Sequence, residues 1–273
     1  MLPIGPIWSV LHLAIKFPGP SVLLAAGLAV SYNTFDDTAP ASAVAANIPD
    51  SGPMIALTFD DGWDTVRDVA LPMMTQRGLV GTNYLHTDYV RDSAPGYINS
   101  DDVQTFVDAG WEVGSHTMYH VDLTTIPPED LEYTMAESRA ALTEWTGNDN
   151  FSFSSPMGVF NEDVVRYAEI NYTSHVNAWS DKNGVNTLDN FNLFNIHRLD
   201  TNNTDVDGVC ETVASLRDDE FYVIIFHKFD DTGSDYSLTP KHFAAMLDCV
   251  EASDASVVTV SAGAESMLRR SSQ

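Results

Sequence analysis

Basic residues are what this sequence most lacks. Thirteen Lys and Arg stand against thirty-nine Asp and Glu in 273 residues, a formal net charge of −26. A groove for nucleic acid needs clustered Lys and Arg, and no such cluster is present, so that class of partner is excluded. Lysine is scarcest: Lys16, Lys182, Lys228 and Lys241 are all there are. An acidic, lysine-poor surface stays hydrated and soluble where salt screens ordinary repulsion. The composition therefore predicts adaptation to high salt, the alternative being a merely acidic chain strained by its own charge. Cysteine is nearly absent too. Cys210 and Cys249 belong to no CxxC, which argues against a thiolate metal site or a thioredoxin-type centre and leaves open a disulfide between two C-terminal helices. No internal repeat is present, and 44% hydrophobic with 10% aromatic residues excludes a disordered or fibrous chain.

Long apolar runs are missing as well. Ile7 to Ile15 is apolar, Lys16-Phe17-Pro18-Gly19-Pro20 interrupts, and Ser21 to Val30 is apolar again. The second run is short for a membrane span and suits a signal-peptide core, although the basic flank is poor. Residues 1–50 thus form an N-terminal hydrophobic segment and linker with three readings: cleaved signal, membrane anchor, or an arm docking into a larger protein assembly. Sequons at Asn150, Asn171 and Asn202 are compatible with export.

Residues 51–273 alternate short apolar runs with amphipathic stretches. Strands are predicted at 54–59, 82–85, 111–115, 152–154, 174–178, 194–198, 221–227 and 257–260. Helices are predicted at 65–77, 100–109 (capped by Ser100), 128–145, 161–170, 207–216 and 240–252. This alternation calls for an α/β fold with a parallel sheet, closed or distorted into a barrel. Reactive groups in such a fold gather at the C-terminal ends of strands. Those ends carry Asp60-Asp61, His116 with His120, and His227. The i, i+4 spacing of His116 and His120 puts both imidazoles on one face of a helical turn, suited to gripping one cation. Alone, each feature has a bland reading: a turn, two surface histidines, and a core histidine. Together, two imidazoles and a carboxylate make a three-ligand metal site with an open position for water. One aspartate ligates, its neighbour serves as general base, and a histidine across the site protonates the leaving amine.

Thr58-Phe59-Asp60-Asp61-Gly62, with His116-Thr117-Met118-Tyr119-His120, resembles the polysaccharide deacetylases, also called the NodB-homology or carbohydrate esterase 4 family. The resemblance covers roughly residues 53–267. It implies a distorted (β/α)7 barrel, here with an N-terminal hydrophobic extension. It also implies Asp60 as base, Asp61, His116 and His120 as metal ligands, and His227 as acid. The implied cofactor is one divalent metal, Zn2+ foremost and Co2+ or Ni2+ as alternatives. The implied reaction is removal of N-acetyl groups from an extracellular amino-sugar polymer.

The third motif departs from the family pattern. Where an arginine usually orients the base, Phe153-Ser154-Ser155-Pro156-Met157-Gly158 supplies Ser154, which is similar to the poly-N-acetylglucosamine deacetylase branch. Arg198, in His197-Arg198-Leu199-Asp200, is a candidate replacement, its alternative being an ion pair with Asp200. Trp179 and Asp181 are candidates for a wall and a partner of His227, Pro156 belongs to the third motif, and Trp63 could stack on a sugar or pack under a loop. Two other functional readings follow: a deacetylase-like glycan-binding or structural component of a cell-surface or virion assembly, and an O-acetyl esterase on the same centre. Oligomeric state stays open, a homo-oligomer included.

Overall fold

The computed structural model describes residues 48–178, 183–201 and 206–272. Residues 1–47 of the N-terminal extension, Trp179, Asp181 and the sequon at Asn202 lie outside the described residues. Among the described residues no helix is long and apolar enough to cross a membrane.

The chain begins with β1 (Met54–Phe59), and a π-helical turn leads into α1 (Leu71–Thr75) and β2 (Thr82–Leu85). After the short α2 (Thr87–Arg91) come α3 (Ser100–Asp108) and β3 (Glu112–Ser115), then α4 (Pro128–Thr146) and β4 (Ser152–Ser154). There follow α5 (Glu162–Asn171), β5 (Ser174–Val176), β6 (Val185–Thr187) and β7 (Leu199–Asp200). The chain then forms α6 (Val206–Ser215), β8 (Glu220–Phe226) and a small ladder of β9 (Lys228–Phe229) with β10 (Ser237–Leu238). It ends in α7 (Pro240–Glu251), β11 (Ser256–Val257) and α8 (Val260–Ser271).

The main sheet runs β5-β4-β3-β2-β1-β8, all parallel, with β6 antiparallel at β8. Its seventh stave is ragged. Ile196 bridges Val176 of β5, and β7 pairs in parallel with β8, so residues 196–200 close the curled sheet into a ring. This is the distorted seven-stranded barrel expected, held across the β5 edge by one bridge. The predicted strand at 194–198 is displaced to Leu199–Asp200, because residues 194–198 are tied instead by loop hydrogen bonds to β5 and Asn186.

Strand alternation sorts the core. Ile55, Leu57 and Phe59 of β1 join Tyr222, Ile224 and Phe226 of β8 in the larger apolar cluster. Met54 and Ala56 join Phe221 and Val223 in a separate cluster with Tyr84, Val176 and Ile196. Asp60, in phase with Ala56 and Thr58, continues that second set and is buried.

Two local expectations are corrected. The cap of α3 is Asn99, not Ser100: its side chain accepts from the Asp101 and Asp102 amides while Asp102 answers the Asn99 amide. The predicted last strand, 257–260, ends at Val257. The Thr259 side chain accepts from the Ala262 amide and starts α8, a helix the β-branched run Val257-Val258-Thr259-Val260 concealed. Gly263 lets α8 lie against Phe221, since a Cβ there would stand 2.4 Å from its ring. The disulfide that the sequence left open is present: Cys210 on α6 and Cys249 on α7 are bonded.

Candidate active site

Each stave of the ring delivers polar atoms to one end of the barrel. Asp60 and Asp61 follow β1, His86 follows β2, His116 follows β3, Ser154 closes β4 and Asn177 follows β5. Arg198 lies on the ragged stave and His227 follows β8.

The two adjacent carboxylates face different surroundings. Asp60 is gripped by Arg198, whose Nη1 donates to Oδ1 at 2.8 Å and Nη2 to Oδ2 at 2.9 Å. Arg198 is wholly buried, and its remaining donors reach Ser154 Oγ at 2.7 Å, Thr58 Oγ1 at 3.1 Å and the Asn177 carbonyl at 2.6 Å. Ser154 Oγ also donates to Asp60 Oδ2 at 3.1 Å. Burial pushes the Asp60 carboxyl up, but the Arg198 charge, with His116 behind it, outweighs burial and holds it at about 2. Arg198 is therefore a buried partner of Asp60, while Asp200 sits half-buried in β7.

Asp61 has a left-handed backbone (φ 78°) that turns its side chain towards imidazoles. Its Oδ1 lies 3.1 Å from His86 Nε2, 3.4 Å from His116 Nε2 and 3.8 Å from His120 Nε2. Burial again raises its pKa, and the neighbouring His116 and His86 rings more than reverse that, leaving it well below the usual carboxylate range. Burial lowers the His86 pKa to about 4, assisted by the neighbouring His116. Burial and then His116 also lower that of His120. His116 moves the other way, because the charges of Asp60 and Asp61 overcome its burial.

Asp61, His86, His116 and His120 each offer one donor atom within 4.8 Å of all the others. Bonds of about 2.0–2.1 Å to a tetrahedral Zn2+ separate neighbouring donors by about 3.3–3.4 Å. The observed carboxylate–imidazole separations bracket that spacing, and nitrogen with carboxylate oxygen is a donor set that zinc accepts. The residues present fit a divalent metal.

The convergence of His116 and His120 has a different cause from the one expected. Residues 116–120 form a loop and no helical turn, so shared helical face does not bring them together. Thr117 adopts a left-handed backbone (φ 64°), its amide donates to Ser115 Oγ at 3.1 Å, and its hydroxyl donates to the Tyr119 carbonyl at 2.8 Å. This tight reversal returns His120 towards His116, with ring centroids 5.7 Å apart.

His86 is the residue sequence reasoning missed. It is buried at the end of β2, the position rule that singled out the other histidines, but it has no spacing partner to draw attention to it. Trp63 serves the site's own framework. Its indole N–H donates to Asp61 Oδ2 at 2.9 Å, its ring stacks on Tyr97 at 4.5 Å, and the Lys228 ammonium lies 4.7 Å from its centroid. Pro156 is buried at the start of a short turn in which Met157 is left-handed and exposed. His227 packs edge-on to the exposed Tyr236, and its buried Nδ1 meets no hydrogen-bond partner among the described residues.

Residues 47–174 match the family model described as polysaccharide deacetylase. A putative polysaccharide deacetylase, YxkH, of Bacillus subtilis is 23% identical over 115 residues, which is 42% of this chain and 40% of the relative. A peptidoglycan-N-acetylglucosamine deacetylase of Bacillus cereus is 27% identical over 142 residues, 51% of this chain and 63% of the relative. The chain thus spans less than two thirds of the length of these relatives. Among solved structures, the Xyl-CE4 domain of a multidomain xylanase from the hindgut metagenome of Trinervitermes trinervoides shares the fold. Its TM-score is 0.57 at 19% identity, covering 80% of this chain and 91% of that one. Arg198 and His227 lie beyond the matched segment.

Proposed function

We propose, from the match of residues 47–174 to the polysaccharide deacetylase family, that this chain is a metal-dependent hydrolase removing N-acetyl groups from an extracellular amino-sugar polysaccharide or glycan. The observation that carries the proposal is the division of labour between neighbouring carboxylates: Asp60 faces a buried guanidinium and Asp61 faces imidazoles. That is the separation needed when one acid holds a cation and the other handles a proton.

In this reading Asp61, His116 and His120 hold the metal, zinc first and cobalt or nickel as alternatives. Bound there, it would supply a Lewis acid and a water acidified towards neutrality. Asp60, kept ionised and fixed in orientation by Arg198, accepts the proton of the attacking water. The water oxygen bonds to the acetyl carbon, the C–N bond breaks, and His227 gives the amine nitrogen its proton. Acetate and a free amino sugar result.

Export is supported by the Cys210–Cys249 disulfide, since such bonds persist in oxidising surroundings. A high-salt habitat is supported by the charge of −26. The direct test is acetate release from N-acetylglucosamine oligomers in multimolar salt, with metal content assayed on the same sample. Metal bound with acetate released supports the reading. Metal bound with every N-acetylated and O-acetylated glycan left intact overturns it in favour of a binding role.

A further inference from the structure

We propose that His86 is a fourth protein ligand of the metal, so that the site is built from three imidazoles and one carboxylate. This rests on the metal-dependent reading above and extends its ligand set beyond Asp61, His116 and His120; the water that reading needs would then be a fifth ligand, a coordination number zinc accepts.

His86 Nδ1 lies 2.9 Å from the backbone carbonyl of His116. A carbonyl oxygen only accepts, so Nδ1 carries the hydrogen and the ring's other nitrogen, Nε2, is left with its lone pair. That lone pair faces Asp61 Oδ1 at 3.1 Å, the shortest imidazole–carboxylate separation in the cluster. Two lone pairs at hydrogen-bond distance repel unless a proton or a cation lies between them.

His116 is held the same way. Its Nδ1 lies 2.7 Å from the carbonyl of Ser154, and its Nε2 turns to Asp61. A backbone carbonyl behind a ring, with the far nitrogen presented to the site, is the usual outer support of a metal-binding histidine. His86 and His116 share that construction, and their rings stack with centroids 4.5 Å apart. His120, by contrast, has a side chain 38% exposed and sits farther from Asp61, at 3.8 Å. Of the three imidazoles His86 is the most enclosed, at 1% exposure.

His86 stands at the end of β2, between the β1 end that bears Asp61 and the β3 end that bears His116. Its backbone is extended (φ −76°, ψ 102°) where the chain turns into α2, which directs the ring inward at ordinary conformational cost. Its ring meets Asp61, His116, His120 and Tyr89, residues of the cluster or its rim.

The alternative is a doubly protonated His86 clamping Asp61 with both ring nitrogens as donors. X-ray absorption at the zinc edge on the zinc-loaded full chain separates the two by counting imidazoles. Three in the wild type and two in His86→Ala are expected, with zinc affinity, read by chelator competition, falling by at least ~10–100-fold. Two imidazoles in the wild type, with the same count in His86→Ala, overturn the inference, and the wild-type count decides even if the variant does not fold. A chain that takes up no zinc, cobalt or nickel overturns the proposed function together with this inference. Metal bound through two imidazoles overturns this inference alone.

Discussion

Replacing Arg198 by Met removes one partner of a buried ion pair and leaves the other in place. Asp60 would stay buried, losing both guanidinium hydrogen bonds and keeping the Ser154 hydroxyl, with His116 Nε2 at 3.9 Å. Breaking a buried pair in this way costs about 3–5 kcal/mol, because an uncompensated charge stays behind. The cost depends on pH, and its sign follows from the Asp60 carboxyl. In the wild type, its lowering from 3.8 to about 2 adds about 2 kcal/mol of stability. That stability is fully present above pH 3.8 and is lost as pH falls through about 2. Without Arg198 the strongest influence holding the carboxyl down is gone, so its pKa rises from the wild-type value and the variant is relieved by protonation as pH falls. Urea unfolding of metal-free protein at constant salt should show a gap of about 3–5 kcal/mol at pH 7 that narrows towards pH 4. The double variant Asp60→Asn with Arg198→Met should recover part of the loss, since the stranded charge is gone. A gap below about 1 kcal/mol that stays flat with pH would refute the buried-pair reasoning.

Other consequences can be checked independently. Reducing Cys210–Cys249, which closes a separation of 39 residues, should cost up to about 4 kcal/mol, seen as a lower unfolding midpoint in reductant. Gly114→Ala would put a Cβ 2.5 Å from the Tyr84 ring and 3.0 Å from the Ser152 carbonyl, and should destabilise by about 1–3 kcal/mol in a thermal melt. If the charge of −26 is an adaptation to salt, thermal stability should fall on dialysis into dilute buffer; an unchanged midpoint would refute that reading.

Much of the barrel was legible because its strands are short apolar blocks closed by turn residues, as at Met54–Phe59 before Asp60-Asp61-Gly62. The helix-ending glycines were legible too: Gly78, Gly110 and Gly147 all take positive φ. Other features were hidden for physical reasons. The ragged stave was legible as a strand at 194–198 but not in its bounds, because one bridge and two paired residues at 196–200 are too little for a periodic pattern. Arg198 was recognisable only as a candidate, because its partner Asp60 is distant in sequence and the two meet only when the ring closes. The pairing of His116 with His120 was legible from spacing, although a left-handed Thr117 and no helix creates it. His86 carried no spacing at all. Its role rests on the parallel register of β2 between β1 and β3, which sequence does not display.

The central claim is that two adjacent aspartates hold different jobs, and the most direct measurement is zinc content alongside acetate release in Asp60→Asn and Asp61→Ala. The account predicts that Asp60→Asn keeps stoichiometric zinc and loses ~10²–10⁴-fold in turnover, while Asp61→Ala loses zinc and turnover together. Asp60→Asn with undiminished turnover, or Asp61→Ala with full zinc, would contradict it.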